Sequence, residues 1–92
     1  MKLSEEEIQE KLGALSGWEG KNGTIEKEFS FDGFPEAIKF VEKVATLAEE
    51  ADHHPDIHIN YDKVKIVLST HDVGGVSEKD FSLAEQIDAI VK

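Results

Sequence analysis

A chain of 92 residues, 39% hydrophobic and 33% charged, fits one compact domain over 1–92 and has a globular make-up, neither disordered nor fibrous. Twenty Asp and Glu against ten Lys and Arg give a net charge of −10, which repels phosphate backbones and anionic lipid, so no direct nucleic-acid contact and no membrane partner are expected. Cysteine is absent, which excludes disulfides, thiolate metal sites and cysteine nucleophiles, and no apolar run is long enough to span a membrane.

The acidic start, Met1 to Glu7, lacks the apolar stretch of a signal peptide, and a cytoplasmic location is expected. Ser4 and Glu7 form a capping box that opens a first helix, with Leu3 and Ile8 at the staple positions and Ser16-Gly17 as its stop. A hairpin follows. Trp18 lies in a short strand, Asn22-Gly23 makes the turn, and Ile25, Lys27, Phe29 and Phe31 share one face of the second strand. Gly33-Phe34-Pro35 opens the longest helix, because proline suits the first helical turn. Its apolar stripe is read as Phe34, Ile38, Val41, Ala45 and Ala48, widened by Ala37, Phe40 and Val44, and Pro55 sets the limit it must stop before.

A second hairpin is built from Ile57, Ile59 and Tyr61 on one strand and Val64, Ile66 and Leu68 on the other. A two-residue loop at Asp62-Lys63 pairs Tyr61 with Val64, so that paired numbers sum to 125. The last helix starts at Ser77, with Asp80 completing a partial capping box. Val76 and Phe81 take its staple positions, Phe81, Ala84, Ile87 and Val91 its buried stripe, and Lys92 a favourable C-terminal charge. The order helix–strand–strand–helix–strand–strand–helix gives an α+β fold: one four-stranded antiparallel sheet with three helices packed on one face.

The chemistry lies in the histidines. The expected register sets His54 opposite His71 and His53 opposite Asp72, which brings three imidazoles to one end of the sheet. His58 falls roughly 13 Å away and is left out. Neighbours in extended chain point to opposite sides, so His53 and His54 need a turn between helix and Pro55 to serve one pocket. Glu49 precedes His53 by one helical turn and is read as the carboxylate that orients an imidazole, at a helix end where acids are disfavoured. Glu50 is read as solvated and Asp80 as a cap. Zinc on these histidines with Glu49 or Asp72 is the lesser reading, because adjacent histidines suit one ion poorly. Proton transfer without metal or cofactor is the greater one, since imidazole both donates and accepts near neutral pH.

Ala48 to Asp56, with Glu49, His53, His54 and Pro55, then Tyr61-Asp62-Lys63-Val64 and Ser69 to Asp80, with Thr70-His71-Asp72, resemble the pterin-4a-carbinolamine dehydratases. Gly17-Trp18 and Phe29 to Ala37 resemble the same family, so the likeness runs from Leu12 onward. The resemblance implies a four-stranded sheet with three helices and the dehydration of 4a-hydroxytetrahydropterin to quinonoid dihydropterin, which recycles a tetrahydropterin cofactor. It implies His53, His54, His71 and Glu49 as catalytic residues. It also implies that His53, His54, Pro55, Thr70, His71, Asp72 and Val73 line the pterin site. His53 and His71 are expected to share the acid and base roles, with His54 positioning the substrate. Many relatives carry an aromatic pair after His-His-Pro where this chain has Ile57 and His58, from which altered packing or assembly is expected. The resemblance implies a homodimer or homotetramer, and the thin core of so short a chain makes assembly plausible. The competing readings are a non-catalytic dimerisation cofactor, action on another pterin such as one of molybdenum cofactor metabolism, and a metal-binding domain.

Overall fold

The computed structural model describes residues 2–91, so the expectation for Lys92 lies outside the described residues. The chain runs α1 (Glu5–Leu12), β1 (Glu19–Lys21), β2 (Thr24–Ser30), α2 (Phe34–Ala51), β3 (Asp56–Asn60), β4 (Lys63–Leu68), a 3₁₀ turn (His71–Val73) and α3 (Glu78–Ile90). All strand pairs are antiparallel, each hairpin pairs its own two strands as expected, and the hairpins join through β2 and β4 in the order β1-β2-β4-β3. No helix is long and apolar enough to cross a membrane among the described residues.

Alternation along the strands builds the core. Ile25 and Phe29 of β2 and Val64, Ile66 and Leu68 of β4 are buried on the helical side, while Glu28 and Lys65 face solvent. Phe40 of α2 packs on Phe29 and Phe31, with ring centroids 4.8 and 4.9 Å apart. Trp18 precedes β1 and does not belong to it. Its buried ring meets Phe29 edge-on, and its indole N–H donates to both oxygens of Asp88 near the end of α3, at 3.1 and 3.0 Å. Lys27, the one charge on the inner face of β2, donates to the same carboxylate at 3.0 Å and to the Ser16 carbonyl at 2.7 Å. A cation on this face is tolerated because both contacts replace its water.

The helix starts follow the capping signals. Ser4 accepts from the Glu7 N–H, and the Glu7 carboxylate takes the Ser4 N–H at 2.8 Å. That backbone contact, then the hydroxyl, holds the exposed Glu7 carboxyl below its ordinary 4.5. The contact therefore favours folding above that value and loses its effect as pH falls through the lowered one. One boundary and two buried stripes differ from expectation. The first helix stops at Gly13, short of Ser16-Gly17. On α2 the buried stripe is Ala37, Phe40, Val44 and Ala48, so Phe34 and Ala45, expected inside, are exposed. On α3 Val91 is exposed and Leu83 is buried in addition to Phe81, Ala84 and Ile87.

The second hairpin has a different register. Asn60 pairs with Lys63 and Ile59 with Val64, so paired numbers sum to 123 and the loop is Tyr61-Asp62. Tyr61 takes the corner at φ +55, and the Asp62 carbonyl accepts from the Phe31 N–H at 2.9 Å. Both registers keep every side chain on its own face, because they differ by a whole period of the pleat. Alternation could not distinguish them. The bond from the end of β2 to the turn is a tertiary contact that favours the observed one.

In the first hairpin the Asn22-Gly23 turn behaves as expected, with φ +49 and +83. A Cβ on Gly23 would touch nothing within 4 Å, so its cost is conformational alone. Gly23→Ala is expected to lower unfolding free energy by about 1–2 kcal/mol, read from the urea midpoint at unchanged slope.

Candidate active site

The path into the site begins where α2 ends. Asp52 sits at φ +50, in the left-handed region that Asp tolerates better than most residues. Its N–H donates to the Glu49 carbonyl at 3.2 Å and that of His53 to the Ala48 carbonyl at 3.1 Å, which is a Schellman ending with Asp in the usual glycine place. This reversal is the turn that the adjacent histidines needed. It sends His53 inward, with 11% of its side chain exposed, and His54 outward, with 59% exposed.

His53 meets a partner that local spacing did not suggest. Its Nε2 lies 2.5 Å from Oδ1 of Asp80, whose side chain has no exposed surface. Asp80 Oδ2 accepts the Ser77 N–H and the Thr70 hydroxyl, both at 2.9 Å. The Ser77 contact completes the capping box of α3, as expected. The same carboxylate is thus both a helix cap and the partner of an imidazole. In the sequence Asp80 also matches an acidic position near the site of the family that the chain resembles, but the capping box explained it without catalysis and so its second role was set aside.

Glu49 does contact a histidine, but it is His54 and not His53. Its Oε2 lies 2.5 Å from His54 Nε2, with both side chains largely exposed. His71 and Asp72 are exposed in the 3₁₀ turn, and Val73 and Pro55 are half-buried. Thr70 is buried at the foot of that turn, with its hydroxyl directed to Ser77 and Asp80. His58 pairs with Lys65 on the solvent side of β3, away from this network.

The cross-strand route to the site, with His54 opposite His71, is overturned. Strand β3 begins only at Asp56 and β4 stops at Leu68, so no ladder reaches these residues. What joins the two segments is Asp80: the His53 ring and the hydroxyl of the residue next to His71 share its two oxygens. His54 and Glu49 stand on the exposed side of the same helix end. Among the described residues no group of three or more His, Asp or Glu side chains is placed to hold a metal ion. An imidazole held by a buried carboxylate can take and return a proton on a bound molecule.

Comparison with known proteins bears on this arrangement. The family model for pterin 4 alpha carbinolamine dehydratase matches residues 1–90. A protein of Roseiflexus sp. (strain RS-1) is 53% identical over 90 residues, covering 98% of this chain and 97% of its own. One from Sulfolobus acidocaldarius is 48% identical over 90 residues, covering 98% and 99%. Both carry the name pterin-4-alpha-carbinolamine dehydratase provisionally. The crystal structure of a transcriptional coactivator/pterin dehydratase from Brucella melitensis superposes with a TM-score of 0.96 at 36% identity, covering 100% of both chains. A pterin dehydratase-like protein identified as a RuBisCO assembly factor in the alpha-carboxysome superposes with a TM-score of 0.65 at 27% identity, covering 78% of this chain and 83% of that one.

The two carboxylates are expected to differ sharply on removal. Asp80→Ala leaves Ser77, Thr70 and His53 without their acceptor and is expected to cost about 3–5 kcal/mol. Glu49→Ala breaks an exposed pair and is expected to cost under about 1 kcal/mol. Urea unfolding of the two variants beside wild type checks both.

Proposed function

This chain belongs to the pterin-4a-carbinolamine dehydratase family, and on that footing we propose that it converts 4a-hydroxytetrahydropterin to quinonoid dihydropterin and water by general acid–base catalysis. The observation that carries this reading is the His53–Asp80 pair, held inward beside the turn that bears His71. The C4a–O bond breaks as an acid protonates the hydroxyl, which leaves as water. The N5–H proton passes to a base, and the nitrogen pair forms the new C4a=N5 bond. Both protons go to or come from side chains, so no metal, cofactor or oxidant enters the balance. His53 and His71 take the two proton-transfer roles. His54, steadied by Glu49, positions the pterin, and Pro55, Asp72 and Val73 line its site. The product is the form that a reductase returns to tetrahydropterin, so the reaction belongs to cofactor recycling, placed here in the cytoplasm.

The same reading includes a homodimer or homotetramer. Support comes from apolar surface that the single chain leaves open. Phe34 is 48% exposed on α2, and Ile59 is 44% exposed on the edge strand β3. Beside the buried stripe of α2, Ile38 is half-buried and Ala45 is exposed. These surfaces also suit the interaction role that the coactivator and assembly-factor names attribute to two structural relatives. A protein confined to that role would keep these surfaces and lack the chemistry.

Freshly generated 4a-hydroxytetrahydropterin, mixed with the protein in excess chelator, is expected to lose water faster than in buffer, followed by ultraviolet absorbance. His53→Ala and His71→Ala are each expected to lower the rate by about 10²–10⁴-fold, with circular dichroism unchanged. No acceleration by the folded wild type would favour the interaction role, and activity restored only by added zinc would favour a metal site. Light scattering is expected to give a mass of two or four chains, and Phe34→Glu or Ile59→Glu to lower it.

A further inference from the structure

We propose that Thr70 is a positioning residue for both proton-transfer histidines: its hydroxyl holds the Asp80 carboxylate in the orientation that keeps the proton on Nε2 of His53, and its main chain closes the turn that presents His71. The kinetic part rests on the dehydratase reading, whereas the proton order does not.

The proton order follows from who can accept. An ionised carboxylate accepts only, so each atom facing Asp80 must donate. Thr70 Oγ1, 2.9 Å from Asp80 Oδ2, therefore gives its single proton there. The Ser77 hydroxyl, 2.6 Å from Thr70 Oγ1, then gives its own proton to Thr70, while its oxygen takes the Lys79 N–H at 3.3 Å. The Ser77 N–H occupies Oδ2 as well, at 2.9 Å. Every hydroxyl proton has one place to go. At the far oxygen, His53 Nε2 must carry a proton to meet Oδ1. In neutral imidazole that leaves the lone pair on Nδ1, so His53 enters the reaction as a base through Nδ1.

The main chain of Thr70 does separate work. Its N–H donates to the Gly75 carbonyl at 2.7 Å, and its carbonyl accepts from Val73 at 3.1 Å and Gly75 at 3.4 Å. These bonds close the loop 71–74, with Gly74 at φ +67 supplying the reversal. His71 is thus the first residue of a loop whose foot is fastened to the partner of His53. Thr70 is 6% exposed and its hydroxyl is engaged inward, which suits a role in holding the site and not in contacting the pterin.

Thr70→Val keeps the shape and the main-chain bonds but removes the donor. Nitrogen-15 NMR of the imidazoles reads the tautomer directly and needs no substrate. In wild type His53 is expected as the Nε2–H form, and in Thr70→Val the Nδ1–H form is expected to appear beside it. In the dehydratase assay Thr70→Val is expected to lower kcat about tenfold with KM nearly constant, and Thr70→Ser to restore kcat. A wild-type spectrum with the proton on Nδ1 overturns the proposal, as does a folded Thr70→Val with wild-type kcat and tautomer. Should Thr70→Val not fold, the wild-type spectrum and Thr70→Ala carry the same decision. A wild type inactive on the carbinolamine sinks the functional reading alone, because the tautomer still decides the part played by Thr70.

Discussion

A carboxylate with no exposed surface loses several kcal/mol of hydration and holds its place only if neighbours donate to it. Asp80 is such a group, and the donors that satisfy it come from every segment of the candidate site: Ser77 at the start of α3, Thr70 at the foot of the His71 turn, and His53 just past the end of α2. Once this carboxylate is buried the three segments are no longer free to part. The site is therefore a by-product of charge satisfaction at a helix start. No buried side-chain nitrogen or oxygen lacks a partner among the described residues, so the network is complete and not strained by an orphan group.

Much of the fold was legible because its signals are local. The capping boxes at Ser4 and Ser77, the Asn22-Gly23 turn and the alternation of β2 and β4 each arise from residues within a few positions of one another. The misread features depend on distant contacts. Whether Tyr61 or Lys63 belongs to the turn is decided with the help of the Phe31 N–H, more than two dozen residues upstream. The inner stripe of α2 turned from Phe34 toward Ala37 and Phe40 because the rings of Phe29 in β2 and Phe31 just after it sit there. Apolar residues circle most of that helix, so hydrophobicity alone marked a broad face without marking its centre.

The candidate site was legible in composition and not in wiring. His53, His54, His71 and Glu49 were singled out, yet the reasoning that joined them relied on a strand ladder that does not extend so far. The true joint is a threonine and an aspartate, residues that a reader assigns to turns and caps. Spacing led to the pairing of Glu49 with His53, since four residues make a helical turn. The Schellman ending at Asp52 breaks that periodicity one residue too early and rotates His53 away. Asp in a left-handed conformation carries no mark in a sequence comparable to glycine, and this explains why the direction of the two rings could not be foreseen.

The opposite end of α3 carries a different consequence. The chain has one tryptophan, and its indole is hydrogen-bonded to Asp88, about two helical turns beyond Asp80 along the same helix. Its emission consequently reports the seating of α3 against the sheet from a vantage away from His53 and Asp80. The protein thus contains an intrinsic optical gauge that distinguishes an altered proton pathway from a loosened scaffold, with no label attached.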